Sequence, residues 1–431
     1  MPSQSPIEQI DSRSYADRHL IWNFTVLAMD CCFFWAGLVF FDPNIVLPTF
    51  LDGMNSPNWI VGLARLLQIL GLTLPGLVAA HRMHGGTRHK TYLLTVCGIG
   101  RLGLFTVPWV ISLFAHRYPQ LVIAWFLVFW TIFWISNGLA AVPWFDIVGK
   151  SIPARIRGRF FGVIQLVGGS MAIGATNLAG KILRTPGAEF AHTFAFLAML
   201  WWGGTLLSEI ALCLIREPEG EPTKLSIRPP FAIFVRDALP RLRKSPRAVR
   251  LILIRLSLDG LSMAAPFYVL YARHTLHVSA NLIALYLFVQ SVGKLTIGLI
   301  SGMIADKYGP IMGLRVIAGG IAVIPILALA AGNINPIFLF GSFFLLGAAQ
   351  DGMWALISNA LMESVDPEDR PFTIGTANWL IAPGSLYAVL GGVISDQFGY
   401  RTAFCAALIT GFIGFELARR TPGIMPATPL P

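Results

Sequence analysis

The sequence predicts an all-α polytopic membrane protein, a chain of twelve transmembrane helices in two pseudo-symmetric six-helix bundles. Three observations support this prediction: an apolar composition, repeated apolar stretches of membrane-spanning length, and an internal repeat. Of the 431 residues, 55% are hydrophobic and only 13% are charged, whereas soluble domains carry about 25% charged residues. Water is therefore not the main solvent of this chain.

Twelve apolar stretches approach or exceed the ~20 residues that cross a bilayer as an α-helix. The predicted spans are residues 20–42, 57–81, 91–115, 118–147, 159–183, 190–215, 249–272, 279–305, 313–332, 336–364, 371–395 and 401–420. Such lengths favour helices, because a transmembrane strand needs only about half as many residues.

The basic charge of the chain indicates topology. Its 32 Lys and Arg residues outnumber the 22 acidic residues, and the formal net charge is +10. Most of the basic residues fall in loops on alternate sides of the predicted spans, as the positive-inside rule requires of cytoplasmic loops. We therefore expect membrane lipids, and no nucleic acid, as partners, and we expect both termini in the cytoplasm.

The predicted spans divide the chain into two halves. Residues 216–248 are rich in Pro and charge, too polar to cross a membrane and too short to form a domain. The predicted order is a cytoplasmic N-terminal tail (1–19), an N-terminal six-helix bundle (20–215), a cytoplasmic linker (216–248), a C-terminal six-helix bundle (249–420) and a cytoplasmic tail (421–431). Residues 231–242 of the linker are compatible with a short amphipathic helix at the membrane surface.

An internal repeat relates the two halves. The repeated residues are Gln68, Gly71 and Gly76 with Gln290, Gly293 and Gly298; Asn137, Gly138 and Pro153 with Asp351, Gly352 and Pro367; and Asp30 with Asp259. The spacing between partners changes little and in order along the chain. Parallel repeats related by an axis along the membrane normal are typical of one class of transporters.

The cysteines and the N-terminus exclude several classes of protein. All five cysteines fall inside apolar stretches, so we expect no disulfides, no metal site and no cofactor. The first twenty residues are polar and lack the apolar core of a signal peptide. No phosphate-binding glycine-rich loop or nucleophile–base pattern is present, so we expect neither ATP hydrolysis nor an enzyme.

The turn between the eighth and ninth predicted spans carries the motif Gly302-Met-Ile-Ala-Asp306-Lys-Tyr-Gly309. A glycine at its start allows close helix contact, and the acid can cap a helix or pair with a basic residue such as Arg315. This motif resembles the loop motif of the major facilitator superfamily. The equivalent stretch after Gly76 in the first half keeps its glycines but lacks the acid.

A second motif lies at the predicted cytoplasmic end of the fourth span. Asp146 precedes a basic loop that contains Arg155, Arg157 and Gly158, and this loop resembles the one between the fourth and fifth helices of many transporters of that superfamily. The chain is most similar to poorly characterised bacterial members. The resemblance implies two bundles that rock around a midplane site, in the cytoplasmic membrane of a bacterium.

Charged side chains deep in a bilayer cost on the order of 3 kcal/mol each, so each one is a candidate functional group that faces the protein interior. Asp30, Asp259 and Asp351 lie near the middle of spans that the resemblance places at a central cavity. Because burial favours the neutral form of a carboxylate, we predict that these three residues bind and release a coupling proton.

Structural pairing is an alternative role for several buried charges. Arg255 and Asp259 lie four residues apart, so they can pair on one helix. Asp30 has no basic residue within a helical turn, and Arg65 is a candidate interhelical partner. Two further charges lie on spans that the resemblance assigns to the scaffold and are expected to pair there: Arg101 and Glu209.

Other polar and aromatic residues extend the candidate site. Lys294 can contact an anionic substrate or extend toward the membrane interface, and these two roles are weighted equally. Asn137 matches Asp351 in the repeat, which indicates a polar position at the cavity in both halves. The aromatic residues on candidate cavity-lining spans, which could stack on a sugar or an aromatic solute, are Trp35, Trp354 and Trp379.

The sequence therefore predicts a secondary active transporter. It would act as a monomer and move a small solute by alternating access, with a proton or sodium ion as the coupling ion and the proton preferred. The alternative is a transporter-like membrane protein that has an assembly or sensing role and carries no flux. Loss of the loop acid in the first half keeps this alternative open.

Overall fold

The computed structural model describes residues 17–83, 88–185, 187, 189–218, 245–364 and 377–422. Most of the predicted linker, its proposed amphipathic helix and the greater part of both tails lie outside the described residues. Four predicted functional residues lie on described helices, but their side chains are outside the description: Gly302, Asp306, Asp351 and Trp354.

The first half is built from nine helices over the described residues. They are α1 (Leu20–Val39), α2 (Val46–Gly53), α3 (Asn58–Thr73), α4 (Pro75–Arg82), α5 (Lys90–Phe114), α6 (Pro119–Ser151), α7 (Ala154–Val163), α8 (Gly169–Leu183) and α9 (Phe190–Cys213). One π-helical turn, Ile164–Gly168, joins α7 to α8. The second predicted span is interrupted before Pro75, because proline has no amide proton to donate to the preceding turn.

The second half has seven α-helices and three 3₁₀ turns over its described residues. The helices are α10 (Pro246–Leu258), α11 (Tyr268–His274), α12 (Ala280–Tyr308), α13 (Pro310–Asn333), α14 (Phe338–Glu363), α15 (Leu386–Phe398) and α16 (Tyr400–Arg419). The 3₁₀ turns are Asp259–Met263, Ala265–Phe267 and Ala382–Ser385, and residues 377–381 are helical. Two of these turns contain a proline, which accounts for the local break in the α-helix.

Eight helices of the described chain are long and apolar enough to cross a membrane. They cover eight of the twelve predicted spans. The remaining four predicted spans fall on helices that are interrupted or whose apolar part is shorter, such as Asn58–Thr73. The all-α membrane fold is confirmed, and the count of twelve spans stays a prediction.

The repeated glycines pack equivalent helices in the two halves. A Cβ atom on Gly71 of α3 would lie 2.9 Å from the Cβ atom of Trp134 in α6. In the second half, a Cβ atom on Gly293 of α12 would lie 2.1 Å from the carbonyl oxygen of Phe344 in α14. Both sites require glycine because two backbones approach closely. The repeated glycines therefore mark the same kind of close helix contact in both halves.

The two halves are in contact where α3 packs against α15 and where α8 packs against α12. Polar contacts join them at the end where α1 and α11 finish, which the sequence predicts to face away from the cytoplasm; we call it the outer end. Asp52 accepts hydrogen bonds from Arg273 (2.8 Å) and pairs with His274 (2.7 Å). Asp396 accepts from the backbone amides of Asn58 (3.0 Å) and Trp59 (3.1 Å) at the start of α3. The structure is thus a conformation in which the outer ends of the halves are in contact.

Candidate functional site: a charged cluster between the halves

Asp42 joins the first half to the second. It lies between α1 and α2, and it is buried. Its Oδ1 accepts from the backbone amides of Asn44 (2.9 Å) and Ile45 (3.2 Å). Its Oδ2 accepts from Gln290 Nε2 (2.9 Å) and from Lys294 Nζ (3.3 Å), near the middle of α12. One carboxylate oxygen of Asp42 is therefore held by the first half, and the other is held by the second half.

Arg65 lies on α3 and faces the same region. Its Nη1 donates to Oε1 of Gln68, one turn later, at 2.7 Å. Its Nε is buried and has no hydrogen-bond partner among the described side chains. Arg65 interacts electrostatically with Asp42, Asp259 and Arg255, which include residues of the opposite half.

Asp259 lies where α10 changes to a 3₁₀ turn, and it pairs with Arg255 at 2.8 Å. This pair is the intrahelical pairing that the four-residue spacing allows. A Cβ atom on Gly384 would lie 3.2 Å from Oδ2 of Asp259, so the 3₁₀ turn Ala382–Ser385 packs against this carboxylate. Two interrupted helices therefore meet at Asp259, an arrangement that transporters use to build midplane sites.

The charged cluster combines residues from α3, α10, α12 and the segment after α1. We define the central cluster as Asp42, Arg65, Gln68, Arg255, Asp259, Gln290 and Lys294. The side chains of Lys294, Arg255 and Asp259 are 31%, 20% and 16% exposed, whereas that of Asp42 is 4% exposed. Charges exposed to lipid within a membrane span are costly, so we expect these side chains to face the protein interior.

Asp30 belongs to a different network inside the first half. Its Oδ1 accepts from the hydroxyl of Ser208 on α9 at 2.6 Å, and its Oδ2 accepts from the indole of Trp144 on α6 at 2.8 Å. The suggested partner, Arg65, lies instead in the central cluster, so that pairing was wrong. The spacing of residues in the sequence could not show which helix the side chain of Asp30 faces.

Arg101 completes this first-half network. It pairs with Glu209 at 2.6 Å, donates to the hydroxyl of Ser208 at 2.9 Å and donates to the carbonyl oxygen of Thr205 at 2.6 Å. We define the Asp30 network as Asp30, Arg101, Trp144, Ser208 and Glu209. It contains two carboxylates and one guanidinium, all on helices of the first half.

The remaining intramembrane candidates make other contacts, or their side chains lie outside the description. Asn137 donates to the carbonyl of Phe133 on its own helix. Trp35 packs against Gly168, at the π-helical turn of the first half. Trp379 is 37% exposed. The roles proposed for Asp351 and Trp354 stay predictions.

The cytoplasmic loop motifs make local contacts. Asp146 pairs with Lys150 at 2.5 Å, and Arg157 donates to the carbonyl oxygens of Ile152 (3.0 Å) and Gly149 (2.8 Å). These bonds close the turn between α6 and α7. The other two predicted members of this motif are exposed: Arg155 and Gly158.

The second-half loop motif is partly described. Gly309 has a φ of +83°, a conformation that favours glycine, at the turn into α13. Arg315 donates to the carbonyl oxygens of Ala418 (3.2 Å) and Thr421 (2.6 Å). Arg315 therefore stabilises the end of α16, where carbonyl groups lack helical partners.

Sequence reasoning missed several members of these sites. Asp42 fell at the very end of a predicted span, where a charge is not exceptional. Gln68 and Gln290 were recognised as a repeated pair, and the structure places both in the central cluster. A repeated polar residue inside two membrane spans was a signal for a shared site. The other missed residues, Ser208 and Trp144, had no comparable signal.

Comparisons with known proteins agree with this architecture. The family model of the Major Facilitator Superfamily matches residues 251–428. A structure of a variant of the nucleoside transporter NupG is similar with a TM-score of 0.66 at 14% identity, covering 93% of this chain and 98% of that one. A D-xylose-proton symporter has a TM-score of 0.63 at 17% identity, covering 92% and 98%.

A third solved structure is the E. coli fucose:proton symporter FucP. Its TM-score is 0.62 at 18% identity, covering 94% of this chain and 99% of that one. No curated protein matches the chain by sequence.

These findings define an integral membrane protein with the fold of secondary transporters. The family model covers the second half, and the fold extends over both halves. The match of the second half to the model of the Major Facilitator Superfamily agrees with the resemblance found in the motifs of the chain.

Proposed function

We propose that the protein is a secondary active transporter that moves a small solute by alternating access and couples this movement to protons. The observation that carries the proposal is the central cluster. It brings charged groups of both halves together on helices of the predicted membrane spans. A midplane site between two related bundles is the arrangement on which alternating access depends.

The contacts at the outer end support a rocking movement. In this conformation Asp52 pairs with Arg273, and Asp42 pairs with Lys294. Each pair joins one half to the other. Separation of the halves at the outer end must break both pairs, so a solute that binds the central cluster in competition with Asp42 would shift the equilibrium between conformations.

The Asp30 network supports proton coupling. One guanidinium, Arg101, faces the carboxylates of Asp30 and Glu209 in a buried environment. Uptake of one proton would balance the charge of this group, and a buried charge without compensation is costly. Asp259 and Asp351 remain further candidates for coupling. Two proteins of similar structure, a D-xylose-proton symporter and a fucose:proton symporter, also favour proton coupling.

The topology proposed with this function has both termini in the cytoplasm of a bacterium. It comprises two six-helix bundles, at 20–215 and 249–420, joined by the linker 216–248, and one chain is the functional unit. The distribution of basic residues supports this orientation.

Proteoliposomes reconstituted with the full chain provide the test. Sugars, nucleosides and organic anions are offered under an imposed pH gradient, and both solute uptake and internal pH are recorded. We expect one solute class to move together with protons. Asp30→Asn should abolish accumulation driven by the pH gradient but preserve exchange of solute at equal concentrations, because exchange needs no net proton movement.

Two controls separate the possible failures. Asp146→Asn alters a carboxylate in the loop motif and should leave coupling unchanged. If Asp30→Asn still accumulates solute with the pH gradient, Asp30 is not the coupling residue. If correctly folded protein moves no solute in the panel and shows no movement at its outer end, the assembly or sensing alternative replaces transport.

A further inference from the structure

The charges of the central cluster do not pair completely. Asp42 is bonded to Lys294, and each of its oxygens accepts two hydrogen bonds. Asp259 is bonded to Arg255. Each of these two ion pairs carries no net charge. Among the described side chains of the cluster, Arg65 is the charge that remains.

Arg65 has no carboxylate in hydrogen-bond contact among the described side chains. Its one side-chain partner is the neutral amide of Gln68. Its Nε is buried and has no partner within the part of the chain that the structure describes. A guanidinium presents several donors in a rigid plane that matches a carboxylate or a phosphate, so this one has unused donors of the kind that bind anions.

The nearby charges do not compensate Arg65 fully. Asp42 and Asp259 attract it and Arg255 repels it, but each of the two carboxylates already faces its own cation. Over the described side chains, the cluster therefore holds three cations and two carboxylates. An excess positive charge at this depth is costly unless an anion or water compensates it.

Lys294 offers a second binding group on the opposite half. Its ammonium has three donors, and one of them is used at 3.3 Å to Asp42. Its side chain is the most exposed of the ion-paired groups in the cluster, at 31%. Arg65 and Lys294 thus approach Asp42 from different halves, and both retain donors.

We propose that the transported solute is a small organic anion whose carboxylate or phosphate group binds between Arg65 and Lys294. This inference rests on the proposed transport function and specifies its solute class. The anion replaces Asp42 as the partner of Lys294. Binding therefore weakens a contact between the halves and at the same time bridges them, which links occupancy of the site to the movement of the halves.

The test compares anionic solutes with neutral analogues of similar size. Two anions are each compared with a neutral analogue: glucuronate with glucose, and uridine 5′-monophosphate with uridine. Lactate and inorganic phosphate are tested without an analogue. The full chain is purified in detergent, and its melting temperature is recorded at increasing probe concentration. Counterflow in proteoliposomes is then measured with the same probes. We expect at least one anion to stabilise the protein and to exchange, while its neutral analogue has a smaller effect.

Variants assign the effect to the proposed residues. Arg65→Gln keeps a polar side chain but removes the charge, and it should weaken anion affinity by about tenfold or more. Arg65→Lys should retain part of the affinity. Lys294→Gln is a second, independent variant on the other half and should also weaken it. Arg315→Gln is the matched control, because this guanidinium bonds to carbonyl groups at the end of α16, and it should bind anions as the wild type does.

The outcomes distinguish this inference from the transport function itself. A neutral analogue that stabilises and exchanges better than its anion overturns the anion assignment and leaves transport intact. The same conclusion follows if Arg65→Gln and Lys294→Gln bind anions with wild-type affinity, or if no anion changes the melting temperature. Absence of all exchange, with anion stabilisation still dependent on Arg65, would instead contradict transport and preserve the anion site.

Discussion

The Asp30 network and the central cluster are both groups of buried charges, but they differ in which parts of the chain they join. The Asp30 network is held by α1, α5, α6 and α9 of the first half. The central cluster joins the first half to the second through Asp42, Gln290 and Lys294. The first group can move as one body, whereas the second must change its contacts whenever the halves separate.

This difference separates stability from conformational change. Loss of Arg101 from the Asp30 network leaves two carboxylates without their cation in every conformation, so folding should suffer. Loss of a contact between the halves should alter the equilibrium between conformations and have less effect on folding. The following predictions test this separation, and they begin with the largest expected effect.

The close contact of α3 with α15 should be essential for closure of the outer end. A Cβ atom on Gly62 would lie 2.2 Å from the carbonyl oxygen of Ala388. Gly62→Val should therefore hold the halves apart and reduce exchange to background. Gly98→Val is the control, because no heavy atom outside its own helix lies within 4 Å of a Cβ atom there. A folded Gly62→Val protein with normal exchange would show that this contact is not needed.

Removal of Arg101 should destabilise the first half. Arg101→Met leaves Asp30 and Glu209 without their shared cation, and breaking such a buried group costs about 3–5 kcal/mol. The melting temperature in detergent measures this loss. Arg419→Met removes an exposed partner of Glu416 and should cost less than about 1 kcal/mol. Equal effects of the two changes would contradict a special role for the buried network.

Asp42→Asn should shift the conformational equilibrium. The amide keeps the shape of the side chain but loses the ion pair with Lys294, which is worth a few kcal/mol at most at this partly exposed site. Nitroxide labels on cysteines introduced at Pro57 and Ser279, exposed positions on opposite halves, report the outer-end distance. We expect a larger population of long distances. An unchanged distribution would mean that other contacts alone hold the outer end closed.

The smallest effect is expected at the start of α3. Asp396→Ala removes acceptors for two backbone amides of this helix, and loss of a capping carboxylate costs about 1 kcal/mol. The same labels should show slight opening of the outer end, with little change in melting temperature. If Asp396→Ala lowers the melting temperature as much as Arg101→Met does, the main role of Asp396 is to stabilise the fold.

The helical segments could be predicted from the sequence because each segment that lies in lipid must satisfy its own backbone hydrogen bonds. An apolar stretch such as residues 190–215 must form a helix, since its backbone groups have no other partners in lipid. The structure has a helix there at Phe190–Cys213. The break at Asp259 was not predicted, because a local change to 3₁₀ geometry depends on packing against a second interrupted helix.

Composition also identified most of the charged residues that form the two sites. Asp30, Arg65, Asp259 and Lys294 were selected because a charge in a membrane span needs a protein or water environment. That cost depends on the residue and its depth, and both can be read from the sequence.

The partners of these charges were decided only by tertiary structure. Lys294 meets Asp42 across 252 positions of sequence, and Asp30 meets Ser208 across 178. A helix that is apolar on nearly all sides gives little periodicity from which its rotation can be inferred. The amino-acid sequence therefore determined which charges are buried, and the packing of the helices determined which of them meet, because rotation and close contact at glycines set the direction of each side chain.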